Sequence, residues 1–240
     1  MQWKNWISIL IGMSQLSNNE RIKLVAEALA ELNSDVLYVG GAVIQLYSSD
    51  AAAVNPSTTY DVDCVVNLTT YKEYREFEKK LFAKHFCNDT SEDAPICRYL
   101  FNGEKVDFMP MVDTGIGESN RWYQKGMEFR QSHRLDPETT VNIMPAPYYL
   151  ASKLDALHSR GGLDYRGEKD FEDIVFVLNT CTRLPDEIMD SPDIELRKYI
   201  TSEFSELLKR PNIHEEIDSA LTEDNRTGVI IERLKEIAGK

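Results

Sequence analysis

The apolar pattern of this 240-residue chain changes period near Pro145, and that change limits the folds open to it. Before Pro145, short β-branched or alternating runs are interleaved with helical stretches. After it the pattern is almost wholly helical, with segments expected at 147–160, 170–179, 193–210 and 225–238. Gly161-Gly162 to Gly167 reads as a flexible break between the first two. Strands in one half and helices in the other point to an α+β chain. Residues 1–145 would form a mixed β-sheet with flanking helices, and residues 146–240 a helical domain.

Within the first half, Ile22, Leu24, Val25, Leu29 and Leu32 fall near helical spacing and predict a helix over 19–33, capped by Asn18 or Asn19. A strand over 35–39 runs into Gly40-Gly41 and a short helix over 42–47. The stretch 48–59, with Pro56, reads as loop. A strand over 61–68 is followed by a helix over 70–86 that buries Tyr74, Phe77, Leu81 and Phe86. Asn102-Gly103 supplies the positive φ angles of a type I′ turn, so 96–101 and 105–111 form a hairpin. Residues 119–131 read as helical, and 135–144 as Asp136-Pro137 followed by a β-branched run.

Composition removes several classes of function. There is no run of about 18 apolar residues, so no spanning helix is expected. The apolar stretch Trp6 to Met13 is too short to span and lacks the basic start of an export signal; it reads as a segment packed on the core. A cytoplasmic protein with four free thiols, Cys64, Cys87, Cys97 and Cys181, follows. No Cys-x-x-Cys pair or paired histidines suggest zinc. Net charge is −13, and it is unevenly spread. Residues 1–117 carry 10 basic and 16 acidic side chains, residues 118–170 carry 8 and 8, and residues 171–240 carry 9 and 16. General duplex DNA binding needs many phosphate contacts and is not expected; a local basic site for a triphosphate or one RNA end is compatible.

Three carboxylates stand out. On a strand, Asp61 and Asp63 project to the same face, and two carboxylates so close repel unless a cation lies between them. Hard oxygen ligands suit Mg²⁺ or Mn²⁺. Asp107 sits in Lys105-Val106-Asp107-Phe108-Met109, an apolar run in which a lone carboxylate is costly unless paired, exposed or metal-bound. If the two strands are neighbours, the three converge as two-metal phosphoryl transfer requires. Gly40-Gly41, between a strand and a helix start, lets the backbone approach a phosphate. Other residues have plainer readings. Tyr148, Tyr149 and Trp122 read as packing residues, although Trp122 and Tyr123 also precede a basic stretch, Lys125 to Arg134. Asp164 to Arg166 reads equally as a lid or as a surface loop.

The combination Val39-Gly40-Gly41-Ala42, Thr59-Tyr60-Asp61-Val62-Asp63 and Val106-Asp107-Phe108 resembles the polymerase-β-like nucleotidyltransferase superfamily. Pro147 to Leu157, Arg160-Gly161 and Lys169 to Ile174 resemble its AbiEii-type branch, which includes nucleotidyltransferase toxins of phage-defence and toxin–antitoxin systems. The resemblance covers roughly residues 36–180.

It implies a nucleotidyltransferase-type sheet, Mg²⁺ or Mn²⁺ on Asp61, Asp63 and Asp107, and a triphosphate held by Gly40 and Gly41. Thr59 matches a position that contacts the γ-phosphate, and Lys153 a helix lysine that contacts nucleotide phosphates. Asp170 or Asp173 matches an acidic position on the next helix that supports that lysine or positions substrate; the spacing allows both, with Asp170 able to serve as N-cap and Asp173 as the inward member. A basic residue expected shortly before Asp61 is replaced by Asn55, Pro56 and Ser57, and residues beyond 180 match nothing. The implied activity is transfer of a nucleoside monophosphate from an NTP to an RNA 3′ end such as that of a tRNA, a protein hydroxyl or a small molecule, with an antitoxin as a candidate partner. The alternative is a catalytically inactive nucleotide-binding or partner-binding module on the same fold.

Overall fold

The structure is a computed structural model that describes residues 16–49, 59–117, 119–221 and 226–239. The apolar stretch Trp6 to Met13 and the segment carrying Asn55, Pro56 and Ser57 lie outside the described residues.

Helix α1 (Asn18–Leu29) is capped by Ser17, whose hydroxyl accepts from the Glu20 amide at 3.3 Å while the Glu20 carboxylate accepts from the Ser17 amide at 2.7 Å. This reciprocal Ser-x-x-Glu box displaces Asn18 and Asn19 from the expected capping role. Asn18 turns inward instead, and its Oδ1 accepts from the Thr59 amide at 3.1 Å. The helix tightens into a 3₁₀ turn (Ala30–Asp35) before strand β1 (Val36–Val39). A second 3₁₀ stretch (Gly41–Tyr47) leads towards β2 (Asp61–Val66), followed by α2 (Tyr71–Ala83), β3 (Cys87–Asn88), β4 (Arg98–Phe101) and β5 (Glu104–Pro110). Then come α3 (Tyr123–Glu128), β6 (Gln131–Arg134) and β7 (Thr140–Ile143).

Among the described residues the strands form one seven-stranded sheet in the order β3-β4-β5-β2-β1-β7-β6. Strand β2 runs parallel to β5 and β1 parallel to β7; the other neighbours are antiparallel. All four residues of β1 are buried, as a central strand covered on both faces requires. Asn102 and Gly103 have φ of 50° and 87°, so the β4–β5 hairpin has the positive-φ turn that Asn-Gly favours.

The β2–β5 pairing sets Val62 opposite Val106 and Asp63 opposite Asp107. Since side chains alternate along a strand, the two faces differ sharply here. One face carries Val62, Cys64, Val106 and Phe108, all buried. Phe77 of α2 packs edge-on to Phe108 with ring centroids 5.5 Å apart, and the Tyr74 hydroxyl donates to the Phe108 carbonyl at 3.1 Å. The other face carries Asp61, Asp63 and Asp107.

The expected helix over 119–131 needs correcting. Residues 119–131 are helical only over Tyr123–Glu128, and Gln131–Arg134 is an edge strand. That strand is mostly exposed and lacks apolar alternation, so nothing in its composition marks it. It turns back through Asp136, whose Oδ1 accepts from the amides of Glu138 and Thr139 at 2.9 and 2.8 Å. The helical half contains α4 (Ala146–Arg160), α5 (Lys169–Thr180), α6 (Leu184–Met189), α7 (Ile194–Leu207), α8 (Ile213–Ala220) and α9 (Thr227–Ala238). Helices α6 and α8, of six and eight residues, are too short for a periodic signal.

The glycine-flanked stretch 161–167 is tied down rather than loose. Buried Glu216 accepts from the Tyr165 amide at 3.2 Å, and Arg210 pairs with Glu216 while donating to the Leu163 carbonyl at 2.8 Å. The Arg210 guanidinium also lies 3.7 Å from the Tyr165 ring centroid. No helix among the described residues is long and apolar enough to cross a membrane.

Arg21 of α1 forms an ion pair with Glu104 at the start of β5, and both side chains are almost fully buried. Removing one partner of such a pair strands a buried charge. Glu104→Ala should therefore cost about 3–5 kcal/mol in urea unfolding. Adding Arg21→Met to the same chain should recover most of that loss. A double variant no more stable than Glu104→Ala alone would show that the stranded charge is not the cause.

Candidate active site

The Asp61, Asp63 and Asp107 carboxylates each offer an oxygen within 4.8 Å of the others. Backbone geometry explains the convergence: Asp61 and Asp63 are two apart on β2, and Asp63 is the cross-strand partner of Asp107 on β5. The expected adjacency of these strands is what the structure contains. The Thr59 hydroxyl donates to Asp61 Oδ1 at 2.8 Å, which orients that carboxylate.

A residue that sequence reasoning missed sits on the same face. Arg98 of β4 lies directly across from Asp107. Its Nε and Nη2 donate to the two Asp107 oxygens, each at 2.7 Å, and Nη2 also reaches Asp61 Oδ2 at 3.2 Å. The hydrogen bonds to Asp107 raise the Arg98 pKa above its ordinary value, so the group stays charged. The signal was present: a two-residue turn at 102–103 pairs 101 with 104 and, counting outwards, 98 with 107.

Gly40 has φ of +68°, and a Cβ there would overlap the Asp63 carboxylate. Glycine is thus required twice over, by backbone conformation and by the approach of Asp63. Gly41 is less constrained, because a Cβ there would lie 3.7 Å from Thr59 Cβ and 4.0 Å from Asp173 Oδ2. The turn is anchored from the helical half by Tyr149, whose hydroxyl donates to the Gly40 carbonyl at 3.0 Å. Tyr148 and Tyr149 are both buried, as expected of packing residues. Trp122 is buried too and packs on Tyr199, with ring centroids 5.2 Å apart.

Helix α4 forms the opposite wall. A cleft of about 380 Å³ is lined by Gly40, Asp63 and Asp107 on the sheet side and by Ser152, Lys153 and Arg160 on the helical side. Lys153 points into the protein, with its Nζ 3.0 Å from Asp170 Oδ1 and 2.5 Å from Asp173 Oδ2. Asp170 also accepts from Arg160 Nη2 at 2.8 Å. Both aspartates therefore face inward. The expected N-cap role of Asp170 is not seen: the cap is Glu168, without a side-chain bond, and Asp170 lies in the first turn of α5. Burial opposes the Lys153 charge, but Asp173 and Asp170 more than offset it, and the net shift is upward. Burial likewise opposes ionisation of Asp170, while Lys153 and Arg160 reverse the balance and lower its pKa. Lys125, in the basic stretch, is bound to Asp193 at 2.6 Å.

The donor set fits a hard divalent cation: three carboxylates on rigid strands, with the Arg98 guanidinium already acting as a cation against two of them. Asp61, Asp63 and Asp107 are the residues that would hold it.

Two outcomes follow from these contacts. Gly40→Ala should displace Asp63 and weaken Mn²⁺ binding at least about tenfold, roughly 1.4 kcal/mol. Gly41→Ala should change Mn²⁺ affinity little, so equal losses in the two variants by calorimetry would contradict the geometry. The second outcome concerns pH. The folded pKa of Asp170 lies below its ordinary 3.8, so its contribution is present above that value and is lost as pH falls through the folded pKa. Asp170→Asn removes this contribution. Its melting temperature should then fall less than that of the wild type between about pH 6 and about pH 3.

No protein-family model matches the chain, and no curated protein matches it. Among solved structures, it is similar to one described as a "putative nucleotidyltransferase from H. pylori", with a TM-score of 0.46 and 10% sequence identity over 95% of this chain and 93% of that chain.

Proposed function

We propose that the protein is a metal-dependent nucleotidyltransferase that moves a nucleoside monophosphate from an NTP to an acceptor hydroxyl and releases pyrophosphate. One observation carries this reading: three converging carboxylates beside a glycine turn face Lys153 across a cleft. In this reading residues 1–145 are the catalytic domain, and residues 146–240 form a helical domain that completes the cleft.

Each residue then has a physical task. The backbone at Gly40 and Gly41 approaches the triphosphate, and Thr59 supplies a hydroxyl for the γ-phosphate. Lys153 neutralises phosphate charge, with Asp170 and Asp173 holding its ammonium in place beforehand. Asp61, Asp63 and Asp107 bind Mg²⁺ or Mn²⁺, and one of them accepts the proton of the acceptor hydroxyl. A bound divalent cation would polarise phosphoryl oxygens and stabilise the leaving pyrophosphate. Most of the rate enhancement would come from position and fixed charge.

The acceptor would be an RNA 3′ end such as that of a tRNA, a protein hydroxyl or a small molecule. The AbiEii-type resemblance motivates a role as the toxin of a toxin–antitoxin or phage-defence system, acting in the cytoplasm and restrained by an antitoxin. A second reading, an inactive nucleotide-binding module, draws on the Arg98 pairing, which takes both oxygens of Asp107.

Incubation with each labelled NTP, Mg²⁺, total tRNA and lysate protein should place label on one acceptor class. Asp63→Asn should abolish the transfer. Lys153→Ala should weaken NTP binding and slow transfer with the fold intact, and Lys153→Arg should rescue only partly, since a guanidinium differs in shape and reach. Magnesium-dependent NTP binding without pyrophosphate release would favour the inactive module.

A further inference from the structure

Arg98 makes the charge of the acidic centre unusual. Three carboxylates contribute −3, and a guanidinium that stays protonated contributes +1, leaving −2. Arg98 does more than lie nearby. Its two bonds to Asp107 form a planar fork, the strongest arrangement available to such a pair. The Asp107 side chain is only 10% exposed and that of Arg98 18%, so neither partner is freely solvated. The strands fix the pair, because Arg98 is the cross-strand partner of Asp107 in a hairpin closed by a two-residue turn. The same Nη2 extends to Asp61, so one guanidinium bridges the strand bearing Asp61 and the strand bearing Asp107.

We propose that Arg98 is a built-in cation of this centre that restricts the nucleotide-free protein to one bound divalent ion. The inference rests on the reading of Asp61, Asp63 and Asp107 as metal ligands. One dication brings the group of four side chains to neutrality. A second would leave an excess of +2 beside a guanidinium that cannot deprotonate, and like charges a few ångströms apart in a half-buried cleft repel strongly. A polyanion such as a nucleoside triphosphate supplies the missing negative charge. A second ion therefore enters only together with nucleotide. Arg98 also fixes the orientation of Asp107, which makes it a positioning residue rather than a group that touches the reacting atoms.

The test counts ions and does not depend on turnover. The full chain is stripped with a chelator and titrated with MnCl₂ in the absence of nucleotide, with free Mn²⁺ followed by its paramagnetic resonance signal. Wild type should bind one Mn²⁺ per chain. Arg98→Gln keeps a polar, planar side chain but removes the charge. It should bind the first Mn²⁺ at least about tenfold more tightly, equivalent to about 1.4 kcal/mol, and take up a second. Arg98→Lys, which keeps the charge without the fork, should still bind one. Two Mn²⁺ on the wild type, or an Arg98→Gln variant with unchanged count and affinity, would overturn the inference while leaving the metal centre standing. No Mn²⁺ on the wild type would overturn the metal-centre reading, and this inference with it. If Arg98→Gln fails to fold, Arg98→Met serves as the charge-free variant and the same second Mn²⁺ is expected on it; its absence there would overturn the inference.

Discussion

The parallel register between β2 and β5 is the constraint from which the site follows. It places Asp63 level with Asp107, and the strand pleat then brings Asp61 to the same face. Three carboxylates within 4.8 Å of one another repel, and the surrounding residues answer that repulsion. Arg98 meets two of them, Thr59 donates to one, and Gly40 leaves space for the third. The apolar face behind them, with Phe108 under α2, keeps the strands from relaxing away from this crowded arrangement.

The helical half meets this face at Tyr149. Tyr149 of α4 holds the carbonyl of Gly40 and packs against Tyr47, with ring centroids 4.7 Å apart. One turn further along the same helix, Lys153 is held by two aspartates of α5. Crossing the cleft from β4 to α5, charge alternates in sign: Arg98, the triad, Lys153 with Arg160, then Asp170 with Asp173. An anion entering between the triad and Lys153 would meet Lys153 and Arg160 on one side and three carboxylates on the other, so it needs a divalent cation bound to those carboxylates to be received there.

Much of this arrangement was legible in the residues, for identifiable reasons. The D-x-D pair, the glycine turn and the Asn-Gly hairpin are local signals whose geometry follows from strand alternation and positive φ. Lys153 was legible through the resemblance, which matches it to a phosphate-contacting helix lysine, and the structure holds its ammonium with two aspartates as a half-buried charge requires. Arg98 was overlooked although the hairpin count places it, because an arginine in a strand has an ordinary surface reading. The Asn18 cap failed because Ser17 and Glu20 form a reciprocal box that outcompetes it. Strand β6 failed because an exposed, polar edge strand carries no apolar period, and its existence depends on pairing with β7. The clamp of Arg210 and Glu216 on residues 163–165 was illegible, since it joins segments about fifty residues apart through side chains with no shared motif.

The tight turn at Asn102-Gly103 gives the acidic centre a strict requirement on chain length. Inserting or deleting a single residue there would slide β4 past β5 by one position. Every side chain of one strand would then move to the other face of the sheet relative to its partner. Arg98 would be buried among Phe86, Phe108 and Tyr99 in the aromatic layer, or Asp107 would face that layer without a counter-charge. Descendants of this chain can therefore vary the identity of many surface residues around the hairpin. A change in the number of residues at its tip would have to be absorbed by a bulge, or the electrostatic balance of the cleft would be lost.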